Sequence, residues 1–258
     1  MIKPFKIDNS TLNLFACDLD NTLIHSYKHR TPEDICIEIY NDREQSFISS
    51  RAINLLRKII TKIIFIPVTT RSIEQYNRIK WQEDILPKYA VVSNGANLIE
   101  DGKINTEWQK ETLTYIQPYE EELHYQHSLL SQDKHFSICR IVDNSFLFLK
   151  CCDELNVDAC ALELQNNTKL TVEHFGRKIY LFPPLLNKGE ALRRLQNKIS
   201  PIHTFCAGDS YIDIPMLNLA DTAYVPEDLA FKINNQNYIK FQSTEDILQS
   251  IKTSLPIS

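Results

Sequence analysis

Two aspartates set one residue apart, Asp18 and Asp20, close a short and mostly apolar run, Leu12-Asn13-Leu14-Phe15-Ala16-Cys17, and are followed by Asn21-Thr22-Leu23. Alternate residues at a strand end point the same way, so both groups can face one ion. Mg2+ is a hard cation that takes oxygen ligands and keeps water and phosphate oxygens in its shell. A carboxylate beside it can attack phosphorus and form an aspartyl-phosphate. Asp and Asn are also ordinary turn residues, so the pair taken alone reads equally well as a solvated turn. Three more stretches carry residue types that do chemistry: Thr69-Thr70-Arg71-Ser72, Asn187-Lys188-Gly189-Glu190 and Gly208-Asp209-Ser210-Tyr211-Ile212-Asp213.

Each stretch adjoins an element that would position it. The run before Asp18 reads as a buried strand. In an open α/β sheet, ligands bind at the C-terminal strand ends. Residues 63–68, 89–93 and 202–207 are three further strands, ahead of Thr69, of Asn94-Gly95-Ala96 and of Gly208. Residues 50–60 have helical apolar spacing, with Ser49 or Ser50 as a cap. Ser72 or Thr70 would cap a helix over 73–80, and a helix N-terminus is itself an anion site. Another helix begins at Lys188. This alternation of strand and helix argues for an α/β fold with a doubly wound parallel sheet. Residues 35–40 and 45–48 read as a hairpin around the turn 41–44, and His25 and His29 beside it read as solvated loop residues before they read as substrate contacts.

The middle of the chain has a different rhythm. A helix over 111–131 contains Pro118, which splits or kinks it. Strands over 136–142 and 146–152, a helix over 154–165, and strands over 168–175 and 178–182 follow. Helix-strand-strand, twice, is an α+β layer. Strands over 223–225 and 237–241, with helices between and after, close the chain.

The four chemical stretches, in this order, resemble the four motifs of the haloacid dehalogenase superfamily. Asp18-Leu19-Asp20-Asn21-Thr22-Leu23 is similar to the first, whose usual form is Asp-x-Asp-Gly-Thr-Leu. Thr69 matches the second, with Thr70 where Gly is usual. Lys188 matches the third. Gly208-Asp209 and Asp213, with Met216-Leu217 behind them, match the fourth. Ser93-Asn94-Gly95-Ala96 is similar to the branch that inserts a large, type-two cap at this point. The resemblance implies a Rossmann-like core over residues 1–108 and 184–258 and an inserted α+β cap over 109–183. That cap resembles those of sucrose-phosphate, trehalose-phosphate and mannosylglycerate-phosphate phosphatases and of phosphomannomutases; Cof-type phosphatases share the core.

The implied reaction is phosphate-monoester hydrolysis. Mg2+ would be held by Asp18, the backbone carbonyl of Asp20 and Asp209, with Asp213 behind. Asp18 would be the nucleophile, and Asp20 the general acid and then the general base. Thr69 and Lys188 would meet the phosphoryl oxygens, with Thr70 and Arg71 as further phosphate-binding candidates; Arg71 reads equally as half of an ion pair. Asn94 and Ser210 are candidates for touching substrate.

Composition narrows the partners. The chain has 258 residues, enough for one large domain or two modest ones, and 43% of them are hydrophobic. Lys and Arg number 28 against 33 Asp and Glu, a net charge of -5. Bulk charge therefore gives no reason to expect nucleic acid or an anionic membrane as partner. No apolar run approaches the ~20 residues of a membrane span, and Met1 to Asp8 lack a signal peptide's apolar core. Seven scattered cysteines without metal-site spacing read as reduced thiols of a cytoplasmic protein. The expected partner is a small phosphate ester, a sugar phosphate first, selected by the cap. The cap's basic candidates are His135, Arg140, Lys150, Lys169, His174, Arg177 and Lys178. Two other readings use the same motifs: a phosphomannomutase-like transferase, which would require a bisphosphate activator, and a phosphometabolite-binding protein without turnover. No oligomeric state is read from the sequence.

Overall fold

The computed structural model describes residues 12–255; the expectation drawn from Met1 to Asp8 lies outside them. Strand β1 (Asn13–Cys17) leads to a flap made of β2 (His25–Ser26), β3 (Asp34–Tyr40) and β4 (Arg43–Ser49). Helix α1 (Ser50–Ile59), strand β5 (Ile63–Pro67), short helix α2 (Ile73–Asn77) and strand β6 (Tyr89–Val92) follow. Strands β7 (Asn97–Glu100) and β8 (Lys103–Ile104) fold back antiparallel on β6. Then come α3 (Thr106–Ile116), α4 (Glu120–Leu130), β9 (Phe136–Val142), β10 (Phe146–Cys151), α5 (Val157–Asn166), β11 (Thr171–Phe175) and β12 (Lys178–Phe182). The chain closes with α6 (Lys188–Ile199), β13 (His203–Ala207), α7 (Ile214–Leu217), β14 (Thr222–Val225), β15 (Tyr238–Lys240) and α8 (Thr244–Ser254).

The central sheet is parallel, in the order β15-β14-β13-β1-β5. A parallel bridge between Val68 and Val91 sets β6 beside β5. The alternation of β1 decides how the two faces are covered. Phe15 and Cys17 enter one cluster with Leu56 of α1 and Ile251 of α8. Leu14 and Ala16 enter the other with Leu192 of α6 and Met216 of α7. All four β1 side chains are buried on both faces of the sheet, which is why the strand reads as a continuous apolar run. The doubly wound α/β architecture is thus as expected.

The second layer is an antiparallel sheet in the order β11-β12-β10-β9. One of its faces, with Leu147, Leu149, Ile179 and Leu181, packs on Leu123 and Leu130 of α4 and Ala161 of α5. The other face is aromatic. Phe146, Tyr180 and Phe182 cluster with Ala96, Leu186 and Ile212, which joins this sheet to the central one.

Pro118 splits its helix as expected, and two other expected elements differ. The helix over 111–131 is two helices, separated by a 3-10 turn, Gln117–Tyr119, that carries Pro118; the proline has no N–H to continue the ladder. The helix expected over 73–80 ends at Asn77. No helix lies between β14 and β15: Asn235 spends its amide on the carbonyls of Leu217 and Ala220, and Asn218 accepts from the backbone of Asn234 and Asn235, so side chains take over the pairing. Among the described residues no helix is long and apolar enough to cross a membrane.

Candidate active site

Asp18 follows β1 directly. Its backbone N–H donates to Ala207 of β13 at 2.9 Å, and Val68 N–H donates to Cys17 at 2.8 Å. The ends of β1, β13 and β5 are therefore level, and Asp18, Gly208 and Thr69 emerge at one edge. Asn187 caps α6 by accepting from Glu190 N–H at 2.9 Å, and this aims Lys188, the first residue of the helix, at the same edge. The Lys188 ammonium donates to Asp18 and to Asp213, the latter at 2.5 Å. Their side chains are 2%, 9% and 0% exposed. Asp213 also accepts from the Asp209 N–H at 3.2 Å, the Ser210 N–H at 2.9 Å and the Ser210 hydroxyl at 2.7 Å. Gly208 is required by this close approach: a Cβ there would stand 2.6 Å from Asp213 Cγ.

The charges explain what the cluster can hold. Asp18, Asp209 and Asp213 each offer a carboxylate oxygen, and these lie within 4.8 Å of one another. One Lys faces three carboxylates. Burial, outweighing Lys188, pushes the Asp18 carboxyl up, with Asp213, Asp209 and Asp20 adding to the rise. Burial and Asp213 push Asp209 up to about 7. Burial works against the Lys188 charge, but Asp18 and Asp213 raise its pKa above the usual lysine range. A buried group of oxygen donors with excess negative charge fits a hard divalent cation such as Mg2+. Asn21 takes the left-handed conformation, φ 64°, where the superfamily usually has Gly, and Asn is among the residues that tolerate it. That turn brings the Thr22 hydroxyl to Asp209, 3.3 Å away.

Asp20 faces away from this cluster, into the open. Arg71 grips it with two bonds, Nε to Oδ2 at 2.8 Å and Nη2 to Oδ1 at 2.7 Å. The third arm of the guanidinium reaches Glu38 of the flap at 2.8 Å. Glu38 is 3% exposed and also accepts from Ser46 at 2.6 Å and Arg78 at 3.0 Å. Burial pushes the Asp20 carboxyl up, but Arg71 outweighs it, with Lys178 and Lys188 adding, and holds it below the usual carboxylate range. Arg71 is thus an ion-pair partner, largely buried rather than on the surface. Glu38 was not foreseen. Its signal was a lone carboxylate inside the β-rich run of the flap, with Arg71 after β5 and Arg78 just past α2 farther along the chain.

The remaining candidates are engaged within the chain. Thr69 is buried, and its hydroxyl accepts from Arg71 N–H at 3.2 Å. Thr70 is bonded to the Tyr180 hydroxyl of β12. Asn94 donates to the Leu186 carbonyl at 3.0 Å, and its Oδ1 is buried without a partner. Ser210 serves Asp213. Asp143, in the turn between β9 and β10, accepts from Ile73 N–H at 2.9 Å and from the Ser93 hydroxyl, and so seats the cap sheet on the motif loops.

Between flap, motif loops and cap sheet lies a cavity of about 500 Å³. Asp20 and Arg71 line it below, Tyr27 and Tyr40 at the flap, and Arg140, Phe148, Lys178 and Tyr180 above. Of the seven basic cap candidates, only Arg140 and Lys178 line it.

The sequence model of the sucrose-6F-phosphate phosphohydrolase family matches residues 11–226. No curated protein matches the chain. Among solved structures, the sucrose-phosphatase of Synechocystis sp., in complex with sucrose and phosphate, has a TM-score of 0.67 at 16% identity, over 94% of this chain and 98% of its own. A haloacid dehalogenase-like hydrolase from B. subtilis gives 0.61 at 17%, over 94% and 99%. A trehalose-6-phosphate phosphatase related protein gives 0.55 at 15%, over 94% and 97%. These three likenesses are of fold; the match to the family model is of sequence and spans most of the chain. The chain belongs to the sucrose-6F-phosphate phosphohydrolase family, phosphoric monoester hydrolases built on the haloacid dehalogenase fold.

Proposed function

We propose that this protein hydrolyses a small phosphate monoester, a sugar phosphate by kind, at the edge formed by Asp18, Lys188, Asp209 and Asp213, with Mg2+ as its metal. The observation that carries this reading is the buried triad of carboxylates around one lysine, with Asp20, two residues after Asp18, lining a cavity of about 500 Å³. That volume suits a sugar-sized leaving group. On this reading residues 1–108 and 184–258 form the catalytic core, and 109–183 form the cap that selects the leaving group. The scattered, odd set of cysteines fits a reducing compartment, and we place the enzyme in the cytoplasm.

Asp18, Asp209, Asp213 and the Asp20 carbonyl are the groups that would hold Mg2+. Bound there, the ion neutralises the carboxylates and polarises the phosphoryl oxygens. Lys188 favours the charged form of Asp18 against burial and aims it, so that an Asp18 oxygen attacks phosphorus while the bond from phosphorus to the leaving oxygen breaks. Thr69 and Lys188 stabilise charge on the equatorial oxygens. Asp20 gives a proton to the leaving oxygen. It then takes one from the water that cleaves the aspartyl-phosphate, which restores both carboxyl groups. In the geometry described here Asp20 is ionised and gripped by Arg71. Its turn as an acid therefore requires that grip to loosen, and entry of substrate into the cavity is the step that would do it.

The test is hydrolysis of an aryl phosphate by wild type and Asp18→Asn, in Mg2+ and in excess EDTA. Wild type should turn over only with Mg2+, and Asp18→Asn should lose about 10³-fold or more. Appreciable turnover in EDTA, or a fully active Asp18→Asn, would sink the mechanism.

A further inference from the structure

Arg71 is shared between two carboxylates that differ in their freedom to move. Its Nε and Nη2 hold Asp20, while Nη1 donates to Glu38 at 2.8 Å and Nη2 also donates to the Ser46 hydroxyl at 3.0 Å. The Asp20 side chain is 47% exposed and that of Glu38 is 4% exposed. Water or a ligand can replace the bonds to Asp20 from the open side. Glu38 cannot leave Arg71 in the same way without stranding a buried charge. Arg78 takes the other Glu38 oxygen at 3.0 Å, and so fixes the carboxylate that fixes Arg71.

The flap is bent to make this contact. Ile35 pairs with Ile48 and Cys36 with Phe47, but Glu38 then pairs with Ser46 and Ile39 with Glu44, so the register shifts on both sides of Glu38. Irregularities of this kind re-aim a side chain and recur beside active sites. Attachment of the flap has other sources. Ile37 and Ile48 are buried in the core, Glu38 and Ile79 form a backbone bridge, and Lys80 N–H donates to Ile37 at 2.6 Å. A carboxylate buried where apolar packing would serve costs desolvation, so bracing alone does not account for it.

We propose that Glu38 is a positioning residue for the reaction: with Ser46 it keeps the Arg71 guanidinium on the flap, so that Asp20 can leave Arg71 and meet the leaving oxygen. This rests on the reading that Asp20 is the acid for a phosphate ester bound at Asp18. With Gln at position 38, Asp20 is the one carboxylate, among the described residues, that Arg71 still pairs with. The grip on Asp20 then tightens, and the step that needs its proton slows.

Two esters of similar size separate this from a brace. Phenyl phosphate has a poor leaving group that gains from a proton in the transition state, whereas 2,4-dinitrophenolate departs as an anion and needs none. The quantity to compare in Mg2+ is kcat/KM, which covers the chain of steps up to departure of the phenol and excludes the later hydrolysis of the aspartyl-phosphate. The ratio of dinitrophenyl to phenyl ester should rise about fivefold or more in Glu38→Gln, and by less in Ser46→Ala. In an Arg71→Met background, Glu38→Gln should leave the ratio unchanged, because the effect travels through Arg71. A brace that merely shapes the site would lower both esters equally. An unchanged or lowered ratio in Glu38→Gln, or a rise that persists without Arg71, overturns the role of Glu38. Should Glu38→Gln fail to fold, Ser46→Ala and its combination with Arg71→Met give the same comparison. Wild-type turnover with a flat ratio across the variants overturns the positioning role alone, whereas absence of wild-type turnover on both esters overturns the hydrolysis reading and the role with it.

Discussion

The two sides of the cavity handle charge in opposite ways. On the core side, Lys188 lies between Asp18 and Asp213, Asp213 takes three more bonds from its own loop, and Arg71 joins Asp20 to Glu38. These polar arms are fixed within the chain before any ligand arrives. On the cap side Arg140 and Lys178 are exposed and, among the described residues, neither is locked in a close ion pair, Lys178 acting on Asp20 from farther off. A centre that stabilises charge in a transition state gains from being fixed beforehand, because nothing has to reorganise during the reaction. A surface that selects a ligand must keep its bonding capacity for that ligand. On the function proposed above, the contrast separates a place for chemistry from a place for recognition, and it can be attacked from either side.

Removing the lysine is the harshest attack. Lys188→Met leaves Asp18 and Asp213 buried together with no counter-charge. Breaking a buried pair in this way costs about 3–5 kcal/mol, and urea unfolding in EDTA should record a loss of that size. Part of it is recovered when Asp18 takes a proton, since burial and its carboxylate neighbours already push that carboxyl up. The loss should therefore shrink as pH is lowered. Lys188→Met as stable as wild type at neutral pH would mean the core side is not locked as described.

How far the sequence carried this contrast depends on where each partner lies in the chain. Asp18, Thr69, Lys188 and Asp209 were legible because each closes or opens an element whose apolar pattern is local. Glu38 was not, because its partners Arg71 and Arg78 stand 33 and 40 residues away and a single Glu in a strand reads as an outward-facing residue. Arg140 and Lys178 were visible as cap cations but not as cavity residues. Strand parity could have sorted them, yet β10 and β12 are apolar on both faces: Leu147 and Leu149 alternate with Phe146 and Phe148, and Ile179 and Leu181 with Tyr180 and Phe182. With both faces apolar, alternation no longer says which one meets the helices. Strands β7 and β8 span only 4 and 2 residues, too short to show a period. Asp143 was read as part of a turn, which it is, but its seat against Ile73 and Ser93 is a tertiary contact that no local pattern contains.

Glu38→Gln is a milder attack, on the flap's share of the locked side. It removes the charge that holds Arg71 and Arg78. Hydrogen bonds to charged groups are worth about 1.5–3 kcal/mol, so a loss near the middle of that range is expected at neutral pH. Burial pushes the Glu38 carboxyl up, but Arg71, Ser46 and Arg78 outweigh it and hold it below the usual range. A carboxyl depressed in the folded state stabilises the fold above its unfolded pKa, about 4.3, and that contribution fades as pH falls through the folded value. The gap between wild type and Glu38→Gln should be full at neutral pH and should close in acid, below the unfolded pKa. A gap independent of pH would show that shape, not charge, is what Glu38 contributes.

The gentlest test addresses the joint between the two sides. Asp143 takes a positive φ of 43°, so Asn is the substitution that keeps the turn while removing the charge. Asp143→Asn retains one acceptor oxygen for the Ile73 N–H and weakens the bond from the Ser93 hydroxyl, because a neutral acceptor bonds less strongly than a carboxylate. A loss of about 1 kcal/mol follows, which for a chain of this size lowers Tm by about 2–4 °C. The Asp18 cluster does not touch Asp143, so its chemistry should persist while the seating of the cap loosens. The expected kinetic sign is a higher KM for a cap-filling ester with kcat little changed. A variant with lowered kcat and unaltered KM would mean that the joint tunes the reaction itself, and the separation of chemistry from recognition would then fail.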